Sequence, residues 1–429
     1  MFRFDDEFRA EFRAGWPVLI IAFVCFLFGF AAPAFSLPFI YPEVIKEFGW
    51  TREQATLLAS SKYAVGALSA LLAGRLVDVI GAWVSLIITI ALGGLALVSF
   101  LWIQNLTGYY MVGVLLGVAA GGTMVSIKVL ISRAFNASQG SAMGLALVGT
   151  VIGSVVLPFA VVYATEAWGW RIAIAALSGG IWLVALPLLT YGLFSRSMAF
   201  GRRPKAAAAT VPGQVKDDTL ARIMREPRFW LIGAAVFIVA MVDQAFTQHQ
   251  VLIFRDIGLP KEYLAFGVSA LGLAGIVTRT LVGNILDSTS NRGLALLWVV
   301  LSGSVLLAFA LLNPLLFFAF IVLRAVGHSA VLLDTTIMTK HVYGPSRLGT
   351  LIGVYTAMVS AGFAVGPWLM GRLYDASGSY NSAFILFAIL PLVASAMIWN
   401  IKPVYWLSLK AARSEAAKAA AVAPVKVGG

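Results

Sequence analysis

Gly74-Arg75-Leu76-Val77-Asp78-Val79-Ile80-Gly81 is a short polar break between two long apolar blocks, and it returns 209 residues later as Gly283-Asn284-Ile285-Leu286-Asp287. The same offset relates Gly144, Gly153 and Pro158 to Gly353, Gly362 and Pro367. It also relates Glu166 to Asp375 and Gly169 to Gly378. One offset shared by three separate stretches marks an internal duplication. Parallel repeats with a binding site at their interface, near the bilayer midplane, describe one class of secondary transporter.

The blocks on either side of the motif identify the solvent. Apolar residues make up 60% of the 429, and charged residues only 12%, where a soluble domain carries about 25% charged. So little charge cannot cover a water-facing surface, and the blocks approach the roughly 20 residues that cross a bilayer as helix. The sequence predicts an all-α membrane protein of twelve transmembrane helices in two pseudo-symmetric six-helix bundles. Spans are expected near 16–41, 53–77, 82–103, 108–131, 141–164 and 171–194. The second set is expected near 229–253, 262–285, 293–312, 314–338, 347–372 and 381–401. That division leaves a tail at 1–15, a bundle at 16–194, a basic linker at 195–228, a bundle at 229–401 and a tail at 402–429.

Orientation follows from the basic residues in the connections. With both termini in the cytoplasm, the tails and inner connections hold 21 Lys and Arg, and the outer connections hold six (Lys46, Arg52, Arg171, Arg255, Lys261 and Arg372). The net charge of +12 therefore reflects topology and calls for no nucleic acid. The expected setting is the inner, cytoplasmic membrane. The single cysteine, Cys25, permits no disulfide within the chain. Nucleotide loops, Cys/His clusters with metal spacing and nucleophile triads are missing from the sequence, so neither enzyme nor cofactor is expected and a gradient must supply the energy.

The motif Gly74 to Gly81 resembles the G-x-L-x-D-x-x-G loop of the major facilitator superfamily. Gly74, Asp78 and Gly81, with Gly283 and Asp287, are its conformational-loop positions. Within that superfamily the chain looks most like the bacterial monocarboxylate and oxalate–formate group. The matching residues are Lys46-Glu47-Phe48-Gly49-Trp50-Thr51-Arg52, then His249, Arg279, Gly366-Pro367 and Leu373-Tyr374-Asp375-Ala376-Ser377-Gly378-Ser379-Tyr380. The resemblance implies alternating access and a substrate carboxylate bound by the arginine of span eight, Arg279. It also shows departures: Gly275 stands where animal members have an aspartate, and span one has no lysine.

Six ionisable residues lie deep in the spans: Lys62, Lys128, Asp243, Arg279, Arg324 and Asp334. Each costs about 2.5–3.5 kcal/mol on insertion scales, so each calls for a partner or a function. Four cations against two acids suit an anionic substrate. Arg279 leads the substrate candidates, because a guanidinium offers a carboxylate a planar two-pronged fork. Lys62, Arg324 and His249 join it; Lys62 is either a second substrate cation or the neutraliser of Asp243. Asp243 and His328 are the candidates for proton coupling. The alternative for Asp243 is a permanent ion pair with Lys62, Arg279 or Arg324. Gly153 with Pro158, and Gly362 with Pro367, are expected helix-packing positions, since small residues allow close approach. The expected partners are a small organic anion, a proton and the lipid bilayer. The competing readings are an efflux carrier for drugs or other organic compounds and a non-transporting membrane sensor or scaffold. The first half carries no acid inside any span, unlike a carrier built for cations.

Overall fold

The computed structural model describes residues 6–135, 139–195, 220–344 and 348–408. Eleven apolar helical stretches are long enough to cross a membrane. One of them, the 53-residue Ala142–Phe194, is broken at Gly169, where φ is 79°, and it crosses twice. The twelve helices are α1 (Phe12–Phe48), α2 (Arg52–Ile80), α3 (Ala82–Trp102), α4 (Leu106–Ala134), α5 (142–168) and α6 (170–194), followed by α7 (Pro227–Asp256), α8 (Lys261–Leu286), α9 (Ser288–Ala310), α10 (Pro314–Tyr343), α11 (Leu348–Ser377) and α12 (Asn381–Trp399). Most run several residues past the expected apolar spans, because helix continues into polar ends such as Glu43, Lys46 and Glu47 of α1. Residues 196–219 of the basic linker and residues 409–429 of the C-terminal tail lie outside the described residues. The linker's last part forms a one-turn helix, Leu220–Met224, just before α7.

Local chemistry sets the helix ends. Thr51 and Gln54 form a reciprocal capping box at the start of α2, which satisfies backbone N–H groups that have no partner within the helix. Asn105 caps α4 through Gly108 N–H, and Asn313 caps α10 through Leu315 and Leu316 N–H. Large apolar side chains such as Leu183 and Leu315 are left on the outside, as a bundle dissolved in lipid requires.

The duplication is visible in contacts as well as in letters. A Cβ at Gly153 would meet Ala31 Cβ on α1 at 2.4 Å, and a Cβ at Gly362 would meet Ala240 Cβ on α7 at 3.1 Å and the Phe237 carbonyl oxygen at 2.4 Å. Ala31 and Ala240 are themselves 209 apart. The α1–α5 contact is thus repeated as α7–α11. Ser69 of α2 donates to the Val118 carbonyl of α4; its counterpart Thr278 of α8 donates to the Ala325 carbonyl of α10. The turns repeat too. Gly81 turns the chain into α3 at φ 85°, and its counterpart Ser290 sits at φ 55°, a region that costs a side chain free energy. Ser290 pairs with His341 Nδ1 there. In the loop motif itself, Asp78 is exposed and makes no ion pair among the described residues.

Candidate functional site

The bundle has two ends: the far end, which bears the α1–α2 connection, and the linker end, which bears the α6–α7 connection. Contacts between the first six and last six helices gather at the far end. The Asp375 carboxylate accepts from the backbone N–H groups of Arg52 and Glu53 at 3.0 and 2.8 Å, so it sits on the N-terminus of α2, where a helix favours negative charge. Arg52 pairs with Asp256 at 2.5 Å and donates to the Tyr380 hydroxyl. Arg255 meets Glu43, Lys261 meets Glu166, and Glu53 accepts from Trp368. Arg52 and Lys261 are repeat counterparts, as are Asp375 and Glu166; Asp375 meets the backbone of Arg52, whereas Glu166 meets the side chain of Lys261. One layer deeper, Tyr41 donates to Gln248 and Thr56 donates to the Pro367 carbonyl.

Below this closure lies a cavity of about 450 Å³ between α1, α2, α4 and α11. It runs from Lys62 and Tyr63 toward Lys128 and Ile352 nearer the linker end, with Phe30, Met124 and Phe363 on its walls. Lys62 is 4% exposed and lies 5.0 Å from the Tyr63 ring centroid. It has no acidic partner among the described residues. Of the two readings of Lys62, neutraliser of Asp243 is therefore not what the geometry shows.

Asp243 is taken by α10. Arg324 Nη1 reaches Asp243 Oδ1 at 2.5 Å, and Nη2 donates to the Asp243 carbonyl and to Thr247 Oγ1. His328 Nδ1 lies 2.9 Å from Oδ2. Arg324 and His328 share a face because they are four residues apart on one helix. Asp243 and Arg324 are almost wholly buried, while the His328 side chain keeps 21% exposure. Arg324, expected among the substrate residues, has its guanidinium spent on α7. His249 is likewise occupied: its ring nitrogens meet the Tyr380 hydroxyl at 2.8 Å and the Pro367 carbonyl at 2.9 Å. In this structure both side chains are engaged in tying α7 to other parts of the second half.

Arg279 is not among the residues lining the Lys62 cavity. The repeat gives its counterpart in the first half. The 209-residue offset carries Arg279 back to Ala70 and Gly275 back to Gly66, and both line that cavity. Ser69 and Thr278, the residues before Ala70 and Arg279, each bond a backbone carbonyl of the helix beside them, on α4 and α10 respectively. The wall beside it is open, for a Cβ at Gly275 would meet nothing within 4 Å. Arg279 Nε is buried without a hydrogen-bond partner among the described residues. Asp334, one of the six ionisable residues deep in the spans, is fully buried; its Oδ1 accepts from Thr335 N–H, and its Oδ2 has no partner among the described residues. The structure thus brings Asp243, Arg324 and His328 together, and leaves Lys62 and Arg279 without an acidic partner among the described residues. Sequence reasoning missed the far-end clasp, although the Glu166–Asp375 match was its signal. It also missed Tyr63 and Phe363, which carry no charge to mark them. Among the described residues no cluster of metal-ligating side chains occurs.

Twelve crossings, a two-fold repeat and a cavity between the halves find their counterpart in one family model, the Major Facilitator Superfamily, which matches residues 18–315 and 292–426. The chain belongs to this superfamily. As a member it is a multi-pass membrane transporter. Among its relatives, Monocarboxylate transporter 13 of Bos taurus is 23% identical, over 68% of this chain and 67% of that protein. Monocarboxylate transporter 12 of Homo sapiens is 22% identical, over 65% of this chain and 59% of that protein. Monocarboxylate transporter 10 of Danio rerio is 22% identical over 95% of this chain and 81% of that protein. Among solved structures, a peptide transporter POT in complex with alafosfalin aligns with a TM-score of 0.73 at 12% identity, covering 90% of this chain and 94% of that one. A bacterial homologue of the human lysosomal transporter Spinster aligns at 0.68 with 14% identity, covering 92% and 96%. At such identities the solved structures speak for the fold alone.

Proposed function

We propose that this superfamily transporter carries a small organic anion, a monocarboxylate, across the cytoplasmic membrane by alternating access, coupled to a proton. The observation that carries the reading is that Lys62 and Arg279 lie within the spans without an acidic partner among the described residues. Lys62 stands buried in the cavity wall, and Arg279, whose repeat counterpart Ala70 lines that wall, has an Nε without a partner among the described residues. A cation in low dielectric without a counter-charge is costly, and a substrate carboxylate relieves that cost when it binds. The similarity to proteins named monocarboxylate transporters supports the same class. With both termini cytoplasmic, the far end faces outward, and closure there together with a cavity reaching toward the linker end is the inward-facing arrangement of the cycle. The Asp243–His328 contact is the proton-handling element: imidazole is suited to proton exchange, and His328 is its partly exposed member.

A thermal-stability screen of organic acids on the purified protein tests the reading. An acid at 100 times its Kd should stabilise by about 2.7 kcal/mol, and the shift should vanish in Arg279→Ala or Lys62→Ala. Stabilisation by organic cations alone would point to the efflux reading instead.

A further inference from the structure

The walls of the Lys62 cavity restrict which anion fits. We propose that the site takes an amphiphilic monoanion, with one carboxylate on Lys62 and an aromatic or branched apolar body held between Phe30, Tyr63, Met124 and Phe363. This inference rests on the anion-carrier reading above and narrows its substrate class.

Three observations converge on it. The first is the supply of free polar groups. Lys62 is the one buried cation in the lining, while Lys128 is exposed nearer the linker end. The Tyr63 hydroxyl already accepts from Gln244 Nε2 at 2.9 Å, and Ser360 Oγ is bonded to the Thr356 carbonyl of its own helix. A short polar acid, with a hydroxyl, keto or second carboxyl group, finds few groups at the depth of Lys62 to replace the water it gives up. Polar groups left unmatched on burial lose affinity. The second is size. A cavity of about 450 Å³ falls in the range of roughly 300–1,000 Å³ that encloses ligands with a substantial apolar body. A two- or three-carbon acid would leave most of it to water.

The third is what the apolar wall joins. The Tyr63 and Phe363 rings meet edge to face with centroids 5.5 Å apart. Tyr63 belongs to the first half of the chain and Phe363 to the second. An apolar body packed on this pair touches both halves at once, whereas a carboxylate on Lys62 alone touches one. A ligand shifts a conformational equilibrium only through contacts that differ between the states. The body, like a carboxylate shared by Lys62 and Arg279, therefore senses the relative position of the halves.

The test is binding to the purified full chain in detergent, by calorimetry, with four probes: 3-phenylpropionate, its neutral amide, lactate and succinate. We expect 3-phenylpropionate to bind at least about tenfold tighter than lactate or succinate, since burial of a ring adds a hydrophobic contribution that the short acids lack. Phe363→Ala should weaken 3-phenylpropionate by about tenfold and leave lactate unchanged, and Phe363→Leu, which keeps apolar volume, should restore most of the loss. Lactate or succinate binding as tightly as 3-phenylpropionate would overturn the proposed class and leave the anion reading standing. The amide binding as tightly as the acid would instead remove the anion reading itself.

Discussion

Asp243 shows how much of a polar site depends on which groups meet. Six ionisable residues stand out in the spans by composition alone, and the sequence left Lys62, Arg279 and Arg324 as equal partners for Asp243. The structure pairs it with Arg324 and His328. The periodicity of a helix shows which residues share a face, as it did for Arg324 and His328, but it does not reveal which neighbouring helix that face meets. Removing one member of a buried pair leaves the other uncompensated, at a cost of about 3–5 kcal/mol. Asp243→Asn is accordingly expected to lower the thermal unfolding temperature sharply. The double change Asp243→Asn with Arg324→Met should recover part of that loss. Strict additivity of the two single effects would show that the pair is not coupled.

At the scale of the helix, the small residues and prolines were legible because the duplication repeats them. Gly153 and Gly362 were expected at packing surfaces, and the structure places both against the first helix of their own half. What the letters did not reveal is that the two contacts differ in kind. At Gly153 an added methyl meets a side-chain methyl, whereas at Gly362 it meets a backbone carbonyl oxygen at 2.4 Å. A side chain yields more easily than backbone, so Gly362→Ala is expected to cost more than Gly153→Ala. The cost of Gly362→Ala should fall within the roughly 1–3 kcal/mol typical of overpacking. Thermal unfolding of the two variants side by side checks the order. Ser290 belongs to the same scale: its backbone keeps the positive φ of its counterpart Gly81, and a single sequence shows the serine without showing the strain.

Across the whole molecule, the twelve crossings and the duplication follow from the length and offset of the apolar blocks, whereas the conformational state does not. Which end is closed depends on contacts between residues more than 300 positions apart, such as the Asp375 carboxylate on the start of α2. Asp375→Ala is expected to loosen the far end. A thiol placed behind the clasp (Gln248→Cys, in a Cys25→Ser background) should then react several-fold faster with a membrane-impermeant reagent added from that side. An unchanged rate would show that the clasp does not hold the closure. Arg279 comes from the resemblance, the repeat pairs it with Ala70 of the cavity wall, and with Lys62 it carries the proposed function. The most direct test of that account is uptake of a radiolabelled organic acid into proteoliposomes by the native chain and by Lys62→Ala, Arg279→Ala and the double variant. The account predicts uptake by the native protein and its loss in each folded variant, and native-like uptake by the double variant would contradict it.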